Sequence, residues 1–111
     1  MDTITFSDFT KVAMHVGTII HAEVFQEAKI PAYKVTIDFG EIGIKKTSAQ
    51  ITKLYQPEDL IGKQVVAVVN FPPKQIANFM SECLILGAVD DDNVVSLLAP
   101  NHEMKNGLKI G

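Results

Sequence analysis

Val65-Val66-Ala67-Val68-Val69 runs directly into Asn70-Phe71-Pro72-Pro73-Lys74, and apolar sequence resumes with Ser81-Glu82-Cys83-Leu84-Ile85-Leu86. Residues 65–69 are too few for an independent helix and are dominated by β-branched valine. They read as a strand buried on both faces. Pro72 and Pro73 carry no backbone N–H, so the ladder has to stop there. Polar side chains at the end of a buried strand mark a site rather than more core.

Working outward, Ser7 or Thr5 caps a short helical turn through Phe9 and Val12. A long strand is expected over residues 16–25, with Val16, Thr18, Ile20, Ala22 and Val24 on one face. Residues 26–31 form a loop. Tyr33, Val35, Ile37 and Phe39 alternate with Lys34, Thr36 and Asp38, the pattern of a half-buried strand. Gly40 and Gly43 mark a tight hairpin into a third strand, residues 42–48. Residues 49–55 suit a short helix, ended by a turn at Gln56-Pro57-Glu58-Asp59. Strands four and five follow at 65–69 and 82–89. Asp90-Asp91-Asp92-Asn93 makes a turn into a sixth strand at 94–98, and Pro100, Asn106 and Gly107 break up the tail before Leu108 and Ile110.

Three strands in a meander, a short helix and two more strands give the order of the oligonucleotide-binding (OB) fold. The expected fold class is all-β with a short helix: a five-stranded, partly open barrel with additional C-terminal strand material. All 111 residues fit one domain. The extra strand edges need cover, and a second copy of the chain related by two-fold symmetry supplies it most simply.

Hydrophobic residues make up 47% of the chain, enough for a core, and no run approaches the roughly 18 apolar residues of a membrane span. No membrane insertion is expected. Residues 1–10 hold Asp2 and Asp8 and lack the apolar segment of a signal peptide. The single cysteine, Cys83, lies in an apolar strand, which favours a reducing, cytoplasmic setting.

The net charge is −3, yet it is unevenly distributed. From residue 43 to 80, Lys45, Lys46, Lys53, Lys63 and Lys74 stand against Glu58 and Asp59, a local balance of +3. A basic middle on an acidic protein attracts a polyanion to one face. There is no arginine, so phosphate contacts come from lysine point charges and not from bidentate forks.

The candidate phosphate contacts are Lys45, Lys46, Lys53 and Lys74. Asn70, Ser48 and Ser81 are candidates for base edges or a ribose 2′-hydroxyl, and Glu82 for a base amino group. The competing reading for these short side chains is internal, bonding backbone that the prolines leave unpaired. Phe71 and Phe79 bracket the loop and either stack bases or fold back on the barrel. With Ile76 and Met80 they otherwise form an apolar patch suited to peptides. No catalytic residue and no cofactor is expected, because neither a glycine-rich phosphate loop after a strand nor a nucleophile elbow is present. No metal site is expected either: His15 and His21 on one strand lie about 20 Å apart, and His102 has no cysteine pair.

Val16-Gly17-Thr18-Ile19, Ile37-Asp38-Phe39-Gly40, Ser48-Ala49-Gln50-Ile51-Thr52-Lys53, Asn70-Phe71-Pro72-Pro73-Lys74, Ser81-Glu82 and Lys109-Ile110-Gly111 occur in an order that resembles a known family. The chain is similar to the small tRNA-binding domain that extends some methionyl-tRNA synthetases, and more so to the free-standing secretion-associated chaperones of the CsaA family. The resemblance covers nearly the whole chain. It implies an OB fold, a homodimer built through both termini, binding of tRNA or another structured RNA, and a role in holding unfolded or pre-secretory polypeptides and assisting export. The alternative it leaves is a structure-specific tRNA-binding protein without a chaperone role. His15, Gln75, Asn78 and Met80 depart from the tRNA-binding pattern, each removing positive charge or changing loop shape.

Overall fold

A computed structural model describes residues 1–111. In chain order the elements are helix α1 (Phe6–Thr10), strands β1 (Met14–Val24) and β2 (Tyr33–Asp38), a 3₁₀ turn at Gly40–Ile42, β3 (Ile44–Ala49), helix α2 (Pro57–Leu60), β4 (Gln64–Val68), β5 (Lys74–Ile76), β6 (Phe79–Ser81), β7 (Leu84–Ile85), β8 (Gly87–Val89) and β9 (Val95–Leu97). The main sheet is antiparallel, in the order β3-β2-β1-β4-β7, and curls almost into a closed barrel of the OB kind. Two small hairpins, β5-β6 and β8-β9, are appended.

β4 is the valine-rich strand that ends before the two prolines. Val65, Val66, Ala67 and Val68 are all buried, so both faces of the strand are covered. Ile19, Val35, Ile37, Phe39, Leu60, Val65 and Ala67 are fully excluded from water and fill the barrel. β1 serves two neighbours: its first half, residues 14–18, pairs with β4, and its second half with β2. A bulge at Ile20 separates the halves, because Ile19 pairs with Ile37 while His21 pairs with Thr36. That extra residue breaks the expected alternation. Ile19 and Ala22 are buried on either side of it while Ile20 is exposed; Val24, which shares the face of Ala22, is exposed at the end of the strand.

The helix expected over 49–55 lies instead at Pro57–Leu60. Gln56-Pro57-Glu58-Asp59 starts a helix and does not end one. Proline needs no N–H in the first turn, and the Asp59 carboxylate accepts the Gln56 backbone N–H at 3.1 Å. Residues 50–56 instead form an irregular connection that buries Ile51. The third strand begins at Ile44, since Gly40–Ile42 is wound into the 3₁₀ turn. The expected fifth strand divides into β7 and β8, and Glu82 lies outside both. The capped turn at the N-terminus is as expected: the Thr5 hydroxyl accepts the Asp8 N–H, and the Asp8 carboxylate accepts the Thr5 N–H, both at 3.1 Å.

Residues past β9 return to β1. The Val16 N–H donates to the Leu108 carbonyl at 2.9 Å, Gly107 N–H to Val16 at 2.7 Å, and Ile110 N–H to Met14 at 2.9 Å. The tail thus covers the part of β1 that β2 does not reach.

Candidate nucleic-acid interface

β3 is an edge strand, so its outward N–H groups need partners from elsewhere. The segment leaving β6 supplies them. Glu82 N–H donates to the Lys46 carbonyl at 2.8 Å, and its carboxylate Oε1 accepts the Lys46 N–H at 2.9 Å. Ser81 Oγ accepts the Ser48 N–H at 3.2 Å. Two residues later, Leu84 pairs with Val68 on β4. Residues 81–84 therefore form a clasp across the gap between β3 and β4, with Cys83 buried beneath it. Burial pushes the Cys83 thiol up to about 11. It is core filler and a poor nucleophile.

Beside the clasp lies an open hollow of about 380 Å³ whose lining includes Ser48, Phe71, Pro72, Lys74, Ile76 and Ser81. It gathers side chains from β3, the proline turn and the β5-β6 hairpin. Lys74 and Ile76 share one face of that hairpin with their partners Ser81 and Phe79, as the period-two alternation requires. The hairpin was expected to be loop. A second hollow of about 260 Å³ shares Ser48 and Ile76 with the first and adds Gln50, Lys29 and Glu27. A third shares Gln50 and Ile30 with the second and is bordered by Lys53. The three run in sequence past the end of β3.

Of the residues proposed from sequence, Ser48, Lys74 and Ser81 converge on the first hollow together with Phe71 and Ile76. Lys46 lies two residues from Ser48 on β3, and both side chains project away from the core, opposite Thr36 and Lys34 respectively. Lys53 stands at the far hollow and its ammonium donates to the Asp92 carbonyl. Asn70 is engaged internally: its side-chain oxygen accepts the Ala13 N–H at 3.0 Å and its amide donates to the Lys11 carbonyl at 2.7 Å. Glu82 commits one carboxylate oxygen, Oε1, to the β3 edge.

The proposed apolar patch separates into two. Phe71 is 54% exposed at the hollow. Phe79 folds back, its ring packing edge-on against buried Phe25 at 5.4 Å, with the Lys34 ammonium over both rings at 4.9 and 5.6 Å. Met80 pairs with Gln75 on the opposite face of the hairpin.

Thr47 was not singled out from sequence. It lies on the inward face of β3 between Lys46 and Ser48, only 1% exposed, and touches Ser81 Oγ at 2.9 Å and the Cys83 carbonyl at 2.6 Å. A threonine at an inward position of a strand whose outward neighbours are polar was the available signal.

No group of three or more His, Cys, Asp and Glu side chains is placed to hold a metal. No helix is long and apolar enough to cross a membrane.

Known proteins share this fold. The model of the putative tRNA binding domain family matches residues 14–109. The crystal structure of the chaperone CsaA from Bacillus anthracis superposes with a TM-score of 0.95 at 55% identity, covering 99% of this chain and 100% of that one. The CsaA chaperone protein from Picrophilus torridus gives 0.91 at 52% identity, covering 98% and 100%. The methionine–tRNA ligase of Methanococcoides burtonii is 35% identical over 106 residues, 96% of this chain. The chain spans only 15% of that ligase's length.

Proposed function

The chain belongs to the tRNA-binding domain family, and from that premise we propose that it is a non-catalytic, CsaA-like protein that binds tRNA or another structured RNA across the β3 lip. The observation that carries this is the convergence of Ser48, Lys74, Ser81 and exposed Phe71 on one hollow, with Lys46 beside it on the same strand. Lys74 supplies the charge for a phosphate, Phe71 a face on which a base stacks, and the serines groups that bond sugar or base edges. Lys53 extends the basic track beyond the second hollow.

The same reading includes a homodimer in the cytoplasm. Helix α1 buries none of its residues, and Ile4 and Phe6 beside and within it are 66% and 78% exposed. A second copy would cover them.

The test is a titration of bulk tRNA at two salt concentrations. Affinity is expected to fall steeply with salt, by a slope of about −0.7 to −0.9 for each phosphate neutralised. Lys53→Ala combined with Lys74→Ala should weaken binding and flatten that slope. Unchanged binding by the double variant at low salt would place RNA elsewhere, and no binding of tRNA at all would end the proposal.

A second reading has the protein hold unfolded or pre-secretory polypeptides and assist their export. The exposed Phe71 and Met80, and the likeness to the two CsaA chaperones, favour it. Capture of apolar peptide should barely respond to added salt, which separates it from RNA binding.

A further inference from the structure

Buried Thr47 has one hydroxyl proton and two close oxygen neighbours, and counting that proton fixes the polarity of the lip. The Cys83 carbonyl, 2.6 Å from Thr47 Oγ1, has no hydrogen of its own, so Thr47 donates to it. The Ser48 carbonyl, at 3.3 Å, is the more distant acceptor for the same proton. With its proton spent, Thr47 Oγ1 is an acceptor toward Ser81 Oγ at 2.9 Å, and Ser81 donates. Ser81 Oγ also accepts the Ser48 N–H at 3.2 Å. Its proton and one lone pair are thus committed inside the protein, and what half-buried Ser81 has left for the hollow is one lone pair.

We infer that Thr47 is a positioning residue that makes Ser81 a fixed hydrogen-bond acceptor at the lip, so that the site favours a sugar whose 2′-hydroxyl can donate over one that cannot. This rests on the RNA-binding reading above and refines it. An unconstrained serine both donates and accepts, and would accommodate either kind of partner. A held acceptor beside a lysine instead matches a ribonucleotide, with its phosphate on Lys74 and its 2′-hydroxyl aimed at Ser81. Exocyclic base amines are donors too, so the sugar has to be varied while the bases stay the same.

The experiment measures affinity for one mixed-sequence single strand in three forms: ribose, 2′-fluoro ribose and deoxyribose. The fluoro strand keeps the ribo-type sugar shape and removes the donor. Wild type is expected to prefer ribose over both others by about fivefold, the size of one ordinary hydrogen bond. Thr47→Val takes away the acceptor that orients Ser81, and the preference should collapse toward unity. Thr47→Ser retains the hydroxyl and should restore it. A melting midpoint shows whether Thr47→Val is folded; if it is not, Ser81→Ala at the half-exposed lip decides, and it too should abolish the preference. Equal wild-type binding of the three strands, or a preference surviving in folded Thr47→Val or in Ser81→Ala, overturns the inference. If tRNA binds in a salt-dependent way while the sugar preference is absent, or while none of the strands binds, the inference falls and the RNA-binding reading stands. Failure to bind tRNA removes both.

Discussion

Asn70 sits where a ligand would meet the end of β4, yet both polar ends of its amide face the segment between α1 and β1. It lets β4 stop at the prolines without leaving Ala13 N–H and Lys11 C=O unpaired. Asn70→Ala should therefore lower stability by about 1–2 kcal/mol in urea denaturation, since two solvent-accessible hydrogen bonds are lost. tRNA affinity should change less than twofold. A large loss of affinity at an unchanged denaturation midpoint would return Asn70 to the ligand. Single residues were legible in sequence where chemistry is local. Phe71, Lys74 and Ser81 stood out because proline stops a strand wherever it occurs. Glu82 and Thr47 take their roles from an edge N–H and a buried carbonyl brought close only by folding, and sequence spacing carries no record of that.

At the scale of elements, Gly17 shows how tightly β1 meets β2. A Cβ there would stand 2.5 Å from Ile37 Cγ2 and 2.7 Å from Phe39 Cδ1. Both neighbours are wholly buried and have nowhere to go. Gly17→Ala should cost about 1–3 kcal/mol, read as a shifted urea midpoint. A neutral result would mean that the barrel yields more easily than its packing indicates. Alternation exposed β2 and β4 in the sequence, because β2 has one wet face and β4 none. It misled in β1, where a single bulged residue at Ile20 reverses the inward set. It also missed the β5-β6 hairpin, whose short strands follow two prolines and turn through Ala77 at a positive φ of 52°. Nothing in an alanine announces that conformation.

For the whole molecule, the barrel order was readable because a meander, a short helix and two returning strands leave few alternatives. The helix was misplaced by a few residues without altering that order. Assembly has a direct check. Light scattering at micromolar concentration should give about twice the 12.2 kDa of one chain, and a mass near 12.2 kDa would refute the dimer. The tail that pairs with β1 also imposes an order in time. His15 and Gly107, joined at 2.9 Å, are 92 residues apart in sequence. A ribosome makes the first long before the second, at roughly 5–20 residues per second. For several seconds, then, the nascent β1 has no tail to complete its edge, and that edge is open to a wrong neighbour during synthesis.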